Sequence, residues 1–118
     1  MQPQGHVQVL LNTILFHLSP QAAVDAPRFC IAADGVPGEE KDARKVYLEE
    51  GIKDETVQKL KEMGHEVELV KGHQRGVFGR GQLIRVHAEE VVDGEQREER
   101  LVYSAGSDPR GDGGAYPA

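Results

Sequence analysis

Val7, Leu10, Leu11, Ile14, Leu15 and Leu18 recur at the spacing of one face of a 3.6-residue helix, while Gln8, Asn12 and His17 fall off that stripe. The pattern predicts a helix over residues 5–18. Ser19-Pro20 reads as an N-cap and first-turn pair that opens a second, short helix over 20–25. Ala26-Pro27 closes it, because the residue before a proline is pushed away from helical angles.

Phe29 to Ala33 reads as a short buried strand, and Asp34 to Arg44, rich in Gly, Pro and charge, as an exposed loop. Val46 to Glu49 reads as a strand that stops before Gly51. Asp54 caps a helix to about Met63, with Val57, Leu60 and Met63 inward and Gly64 at the C′ position. His65 to Val70 follows as a strand, with Val67 and Leu69 alternating against Glu66 and Glu68. A Gly-rich turn over 72–81 leads into a hairpin of Gln82–Val92 and Glu99–Ala105, joined at the tight-turn dipeptide Asp93-Gly94. The tail from Gly106 to Ala118 is too rich in Gly, Asp and Pro for a regular element.

The order α, α, β, β, α, β, β, β predicts an α+β fold, with helices packed on a mostly antiparallel sheet. The chain reads as one partial domain: 1–26 helical, 27–105 mixed strand and helix, 106–118 irregular. The first helix fits this layout uneasily. Its long apolar stripe needs a broad partner surface, and a few short strands supply one only by leaving their own faces and edges open.

Composition narrows the function classes. The 118 residues carry 14 basic and 20 acidic side chains, for a net charge of −6. That balance argues against nucleic-acid or anionic-membrane partners, which need basic surface. No apolar run approaches the ~20 residues of a membrane span. The single Cys30 excludes an internal disulfide. Met1 to His6 lack a basic segment and an apolar core, so no secretory signal is read and a cytoplasmic location is expected.

Several constellations invite chemistry. The histidines at 6, 17, 65, 73 and 87 show no H-x-x-x-H or H-x-H spacing, so surface or capping roles are preferred to a metal site. Cys30 with Arg28 nearby has the makings of an activated thiol, but a small buried strand residue is the better account. Gly76-Val77-Phe78-Gly79-Arg80-Gly81-Gln82 superficially resembles a phosphate loop. It precedes a strand rather than a helix and lacks a following Lys-Ser or Lys-Thr, so a tight backbone turn is preferred. Asp108-Pro109-Arg110-Gly111-Asp112 lacks the ligand alternation of a calcium loop and reads as Asx-type turns. Thr13 and Thr56 lie inside predicted helices, and Ser19, Ser104 and Ser107 have no nucleophile elbow around them. The residues alone assemble no catalytic machine and imply no cofactor.

The strings Gln8-Val9-Leu10-Leu11-Asn12, Ser19-Pro20-Gln21-Ala22 and Asp25-Ala26-Pro27-Arg28-Phe29, in that order, resemble the C-terminal part of γ-glutamyltransferases. Gly64-His65 before a strand, Phe78-Gly79-Arg80-Gly81-Gln82 and Gly106-Ser107-Asp108-Pro109-Arg110 continue the resemblance to about Tyr116. The opening Met1 to Gln8 is most similar to the bacterial γ-glutamyltransferase-like branch. The resemblance implies an N-terminal-nucleophile hydrolase with an αββα sandwich, of which this chain supplies one helical layer and part of the paired sheets. In that family a self-cleaving precursor exposes a new N-terminal Thr, whose free amine serves as its base. Backbone amides of a Gly-Gly pair stabilise the attacked γ-glutamyl carbonyl. The γ-glutamyl group of glutathione-like substrates then passes to water or to an amino acid.

The departure from the family is as informative as the match. Its nucleophilic Thr, its glutamate-holding residues and its Gly-Gly pair all precede the region matched here, the last of them just upstream of Met1. No catalytic residue therefore carries over, and the chain alone is expected to be inactive. Arg28, Gln82, Asp108 and Arg110 match recurrent family positions and are expected to be structural, with Arg80 or Asp108 as candidates for supporting the active site. Three readings follow: a non-catalytic fragment, a self-associating binding or scaffold module, or one half of a split enzyme completed by another chain. The partners implied are the upstream part or large subunit of such a protein, or a second copy of this chain.

Overall fold

The computed structural model describes residues 1–31, 45–94 and 96–116. Two helices come first, α1 (Gln2–Ile14) and α2 (Pro20–Asp25). Strands β1 (Phe29–Ile31), β2 (Lys45–Glu49) and β3 (Glu66–Val70) form one sheet in the order β1-β2-β3, and helix α3 (Asp54–Glu62) connects β2 to β3. A 3₁₀ helix over Gly72–Phe78 leads to a two-stranded ribbon of β4 (Gln82–Asp93) and β5 (Gln96–Ser107). The expected exposed loop over 34–44, with Ala32 and Ala33, lies outside the described residues.

β1 and β2 run antiparallel, as do β4 and β5, whereas β2 and β3 are parallel. The parallel pair follows from connectivity, because α3 crosses from the end of β2 back to the start of β3. Period-2 alternation sends Val46 and Leu48 to the α3 side, where they bury with Val57, flanked by Ile52, Leu60 and Val67. Cys30, Val70 and Phe78 form a second cluster, with Met1 and Tyr47 against it. The Gly-rich 72–81 segment is thus more than a turn. Its 3₁₀ helix plants Phe78, 1 % exposed, under the sheet.

Three boundaries differ from expectation. α1 starts at Gln2, with Pro3 in its first turn, and stops at Ile14 rather than residue 18. His17 at φ 53° breaks the helical path, and the Leu18 amide turns back to the Asn12 carbonyl at 3.0 Å. Met63 is 74 % exposed rather than inward, because it is the C-cap of α3 and the helical phase ends there. β5 runs through Gly106 and Ser107, into the stretch expected to be irregular. The ribbon turns after Asp93, with Gly94 at φ 63°.

The orientation of α1 is the largest correction. Its apolar stripe does not pack on the strands: Val7, Leu10, Leu11, Ile14 and Leu15 are all exposed. Gln4 and Gln8, on the flank of the stripe beside Leu11 and Leu15, and the buried Thr13 on the far side meet the rest of the chain. Gln8 pairs with both main-chain groups of Phe29, its Nε2 donating to the carbonyl at 3.0 Å and its Oε1 accepting from the amide at 2.9 Å. Gln4 does the same to Ile31, at 3.1 and 2.9 Å. Two side-chain amides one helical turn apart thus occupy the outer edge of β1, as a neighbouring strand does. Gln21 of α2 repeats the device on Ser107 at the end of β5, at 2.9 and 3.0 Å.

The ribbon is also apolar on an open face. Its cross-strand pairs Ile84–Ala105, Val86–Tyr103 and Ala88–Leu101 share one side, and Ile84, Val86, Leu101 and Tyr103 are exposed. Ile14 of α1 and Ile84 and Val86 of β4 line one shallow cleft of about 410 Å³, so the two apolar surfaces adjoin.

Candidate functional site

Arg28 and Arg110 each follow a proline, and both guanidinium groups point into one buried knot beneath α2. Arg110 sits in a tight turn in which the Gly111 amide donates to the Asp108 carbonyl at 3.2 Å. The Asp108 carboxylate accepts from the Arg110 amide at 2.9 Å, an Asx turn laid over the backbone turn. The same carboxylate accepts from the Gly81 amide at 2.8 Å and pairs with Arg28 at 2.7 Å and with Arg110 at 2.9 Å.

Glu49 completes the knot. Its Oε1 accepts from Arg110 Nε at 2.8 Å, and Arg110 Nη2 bonds Oε2 in a bidentate pair. Glu49 Oε2 also accepts from the Arg28 amide at 2.9 Å. Arg110 further donates to the carbonyls of Val24 and Ala26 at 2.8 and 3.1 Å, closing the open end of α2. Arg28 reaches the Val24 carbonyl at 3.2 Å and the Phe78 carbonyl at 3.4 Å. Only the Arg28 Nε among these buried groups lacks a partner.

Two arginines against two carboxylates keep the knot neutral, with all four side chains 1–3 % exposed. Burial raises the proton affinity of Asp108, but the bonds from Arg110, the Arg28 charge and the Gly81 amide outweigh it and hold its pKa below the ordinary aspartate value. Burial works against the charged form of Arg110 as well, and Glu49 and Asp108 reverse that, raising its pKa.

The structure therefore brings Arg28, Asp108 and Arg110 together. Arg80 lies at the edge, its Nε donating to the Arg110 carbonyl at 3.2 Å. Gln82 stands apart from the charges and donates to Ser107 Oγ at 2.9 Å across the base of the ribbon. Sequence reasoning missed Glu49. Nothing in the pattern separates it from the exposed Glu50 beside it, except that alternation from Tyr47 turns it to the covered face of the sheet.

Beside the knot opens a cleft of about 650 Å³. Met1, Gly5 and His6 of the α1 N-terminal turns form one wall, and Phe78, Gly79 and Arg80 form the other. Among the described residues no Ser, Cys or Thr stands in it as an activated nucleophile, and no cluster of His, Cys, Asp and Glu fit to hold a metal ion occurs. Cys30 is buried in the core beneath Phe78. Among the described residues no helix is long and apolar enough to cross a membrane.

Residues 1–118, the whole chain, match the gamma-glutamyltranspeptidase family. The chain belongs to that family. A curated relative, the glutathione hydrolase-like YwrD proenzyme of Bacillus subtilis (strain 168), is 33% identical over 114 residues, covering 97% of this chain and 19% of its own length. Among solved structures, the cephalosporin acylase from Bacillus halodurans superposes with a TM-score of 0.63 at 33% identity, over 93% of this chain and 17% of that one. The gamma-glutamyltranspeptidase from Pseudomonas nitroreducens, complexed with L-DON, gives 0.62 at 26% identity, over 97% and 48%. The mixed α+β fold matches these N-terminal-nucleophile hydrolase relatives, and this γ-glutamyltranspeptidase-family chain spans 17% to 48% of their lengths.

Proposed function

We propose that this chain is the C-terminal part of the small subunit of a γ-glutamyltranspeptidase-like N-terminal-nucleophile hydrolase. It takes part in γ-glutamyl transfer or hydrolysis of glutathione-like substrates only with the polypeptide that carries the nucleophilic Thr and the Gly-Gly pair. The observation that carries this reading is the exposed apolar stripe of α1. A helix that spends its glutamines on its own chain and turns Leu10, Leu11 and Ile14 outward is built to be covered from the far side.

In this reading the cleft at the start of α1 is the part of the active-site wall that this chain contributes. The Arg28–Asp108–Arg110–Glu49 knot does no chemistry. It locks α2, the Phe78–Gly81 segment and the end of β5 to one another, so that the wall is rigid. Arg80 and Gln82 line the cleft as supporting residues.

The test is complementation. The chain is mixed, or co-expressed, with a separately encoded upstream segment from a relative, and hydrolysis of L-γ-glutamyl-p-nitroanilide is followed. The chain alone is expected to be silent and the mixture active. Turnover by the chain alone that survives repurification overturns the reading. The same open apolar faces favour self-association as a second reading. A monomer at high micromolar concentration by sedimentation, with a cooperative melt, removes it.

A further inference from the structure

A second cleft, of about 470 Å³, lies on the other side of Arg80, between the 3₁₀ helix and the Asp108–Asp112 turn. Its charged lining is His73, Arg75, Arg80 and Asp112, with Arg110 behind. Arg110 is spent on Glu49 and Asp108. Arg75 is not spent in this way. Among the described residues its nearest carboxylate oxygen is Glu49 Oε1 at 3.7 Å, which already accepts from Arg110 Nε at 2.8 Å. Arg80 pairs with no carboxylate among the described residues, and its Nε is tied to the Arg110 carbonyl at 3.2 Å. Its stem lies directly on the turn: a Cβ on Gly111 would stand 2.9 Å from Arg80 Cδ.

Among the described residues, Arg75, Arg80 and Arg110 at this cleft, with Arg28 in the knot behind it, meet Glu49, Asp108 and Asp112, an excess of one positive charge in a chain whose net charge is −6. Each of these two guanidinium groups is held through its Nε by a main-chain carbonyl, Arg75 by Gly72 at 3.1 Å and Arg80 by Arg110 at 3.2 Å. Neither makes a close carboxylate pair among the described residues, and their remaining N–H groups in a concave polar site match the planar fork that carboxylate and phosphate oxygens accept. We propose that this cleft binds a small oxyanion ligand, with its carboxylate or phosphate group between Arg75 and Arg80, beside His73. The assignment stands apart from the γ-glutamyl reading, because neither the upstream polypeptide nor catalysis enters it.

The test is an amide and arginine-Nε chemical-shift titration of the full chain with inorganic phosphate and, separately, with succinate, against sodium chloride at matched ionic strength. Saturable shifts at Gly72, Gly76, Gly111 and the side chains of Arg75 and Arg80 are expected, with a dissociation constant of about 1 mM or tighter. Saturation by phosphate, by succinate or by both supports the site and names the oxyanion. Arg75→Gln and Arg80→Gln are each expected to weaken it about tenfold or more, with the spectrum outside the cleft unchanged. Asp112→Asn, on the exposed rim, is expected to tighten it about twofold. Shifts that merely follow ionic strength, or saturation unchanged in all three variants, overturn the proposal. Complementation that fails while the titration saturates sinks the γ-glutamyl reading and leaves this one standing.

Discussion

Arg110 and Glu49, 61 positions apart in the chain, meet as a bidentate ion pair with both side chains 1 % exposed. The pair joins the turn after β5 to the end of β2. Because Arg110 also takes the Val24 and Ala26 carbonyls, one side chain fastens three elements.

Removing one partner of a buried pair leaves the other uncompensated, at a cost of about 3–5 kcal/mol. Glu49→Ala is expected to lower the unfolding free energy by that amount in urea. Glu50→Ala, next to it with a side chain 58 % exposed, should stay within about 0.5 kcal/mol. Equal effects from the two variants would show that the knot contributes nothing to stability.

Asp108 sets the acid limb. Its folded pKa is lowered, so its contribution is complete above the unfolded value of about 3.9 and is lost as pH falls through the folded value. Stability measured from pH 6 downward should therefore fall below about pH 4 in the native chain. Asp108→Asn should start lower and fall less steeply. An unchanged slope would mean that other carboxylates carry the acid transition.

The glutamine pairs protect a strand edge. Gln8→Leu keeps helix propensity but unpairs the amide and carbonyl of Phe29, so a loss of about 1–2 kcal/mol is expected. Hydrogen exchange at the Phe29 amide should quicken, while exchange at the Gln4-held Ile31 amide changes less. Full protection of Phe29 in the variant would contradict the pairing.

Much of the fold was legible in the chain, and the gaps have physical causes. α2, β1 to β3, α3 and the Asp93-Gly94 turn follow from caps, prolines and alternation, which are local signals, although at α3 the N-cap is Lys53 without a side-chain bond, and Asp54, expected as the cap, is the first helical residue. The 3.6-residue stripe of α1 was equally legible, but periodicity says that a face is apolar and not which body covers it. Here Gln4 and Gln8 decide the docking, whereas the pattern sets Gln8 off the apolar stripe and leaves Gln4 ahead of the helix expected over 5–18. Arg28, Asp108 and Arg110 stood out in Ala-Pro-Arg and Asp-Pro-Arg strings. Glu49 had no such frame, because its partner lies 61 residues away.

Gly106 marks where α2 touches the ribbon. A Cβ there would stand 2.5 Å from the Pro20 carbonyl carbon and 2.6 Å from the Gln21 amide nitrogen, both main-chain atoms that cannot swing aside. Gly106→Ala is expected to cost about 1–3 kcal/mol, to lengthen the Gln21–Ser107 bonds and to lower Tm. Gly94→Ala at the ribbon tip serves as the comparison: it meets no atom within 4 Å but bears φ 63°, so it should cost about 1 kcal/mol through the backbone alone.

The outward stripe of α1 separates a surface from an interface. Leu10 and Ile14 are 51 % and 62 % exposed in this chain, so about half of each remains to be buried by a partner. Leu10→Asn with Ile14→Asn should therefore leave the urea midpoint of the isolated chain nearly unchanged, within about 0.5 kcal/mol per site. Covering the remaining apolar surface is worth about 1 kcal/mol per side chain, so the double variant should weaken assembly with an upstream segment roughly thirtyfold. The readout is the segment concentration that gives half-maximal γ-glutamyl turnover. A double variant that complements as well as the native chain would place the partner elsewhere, on the open ribbon face of Ile84, Val86, Leu101 and Tyr103.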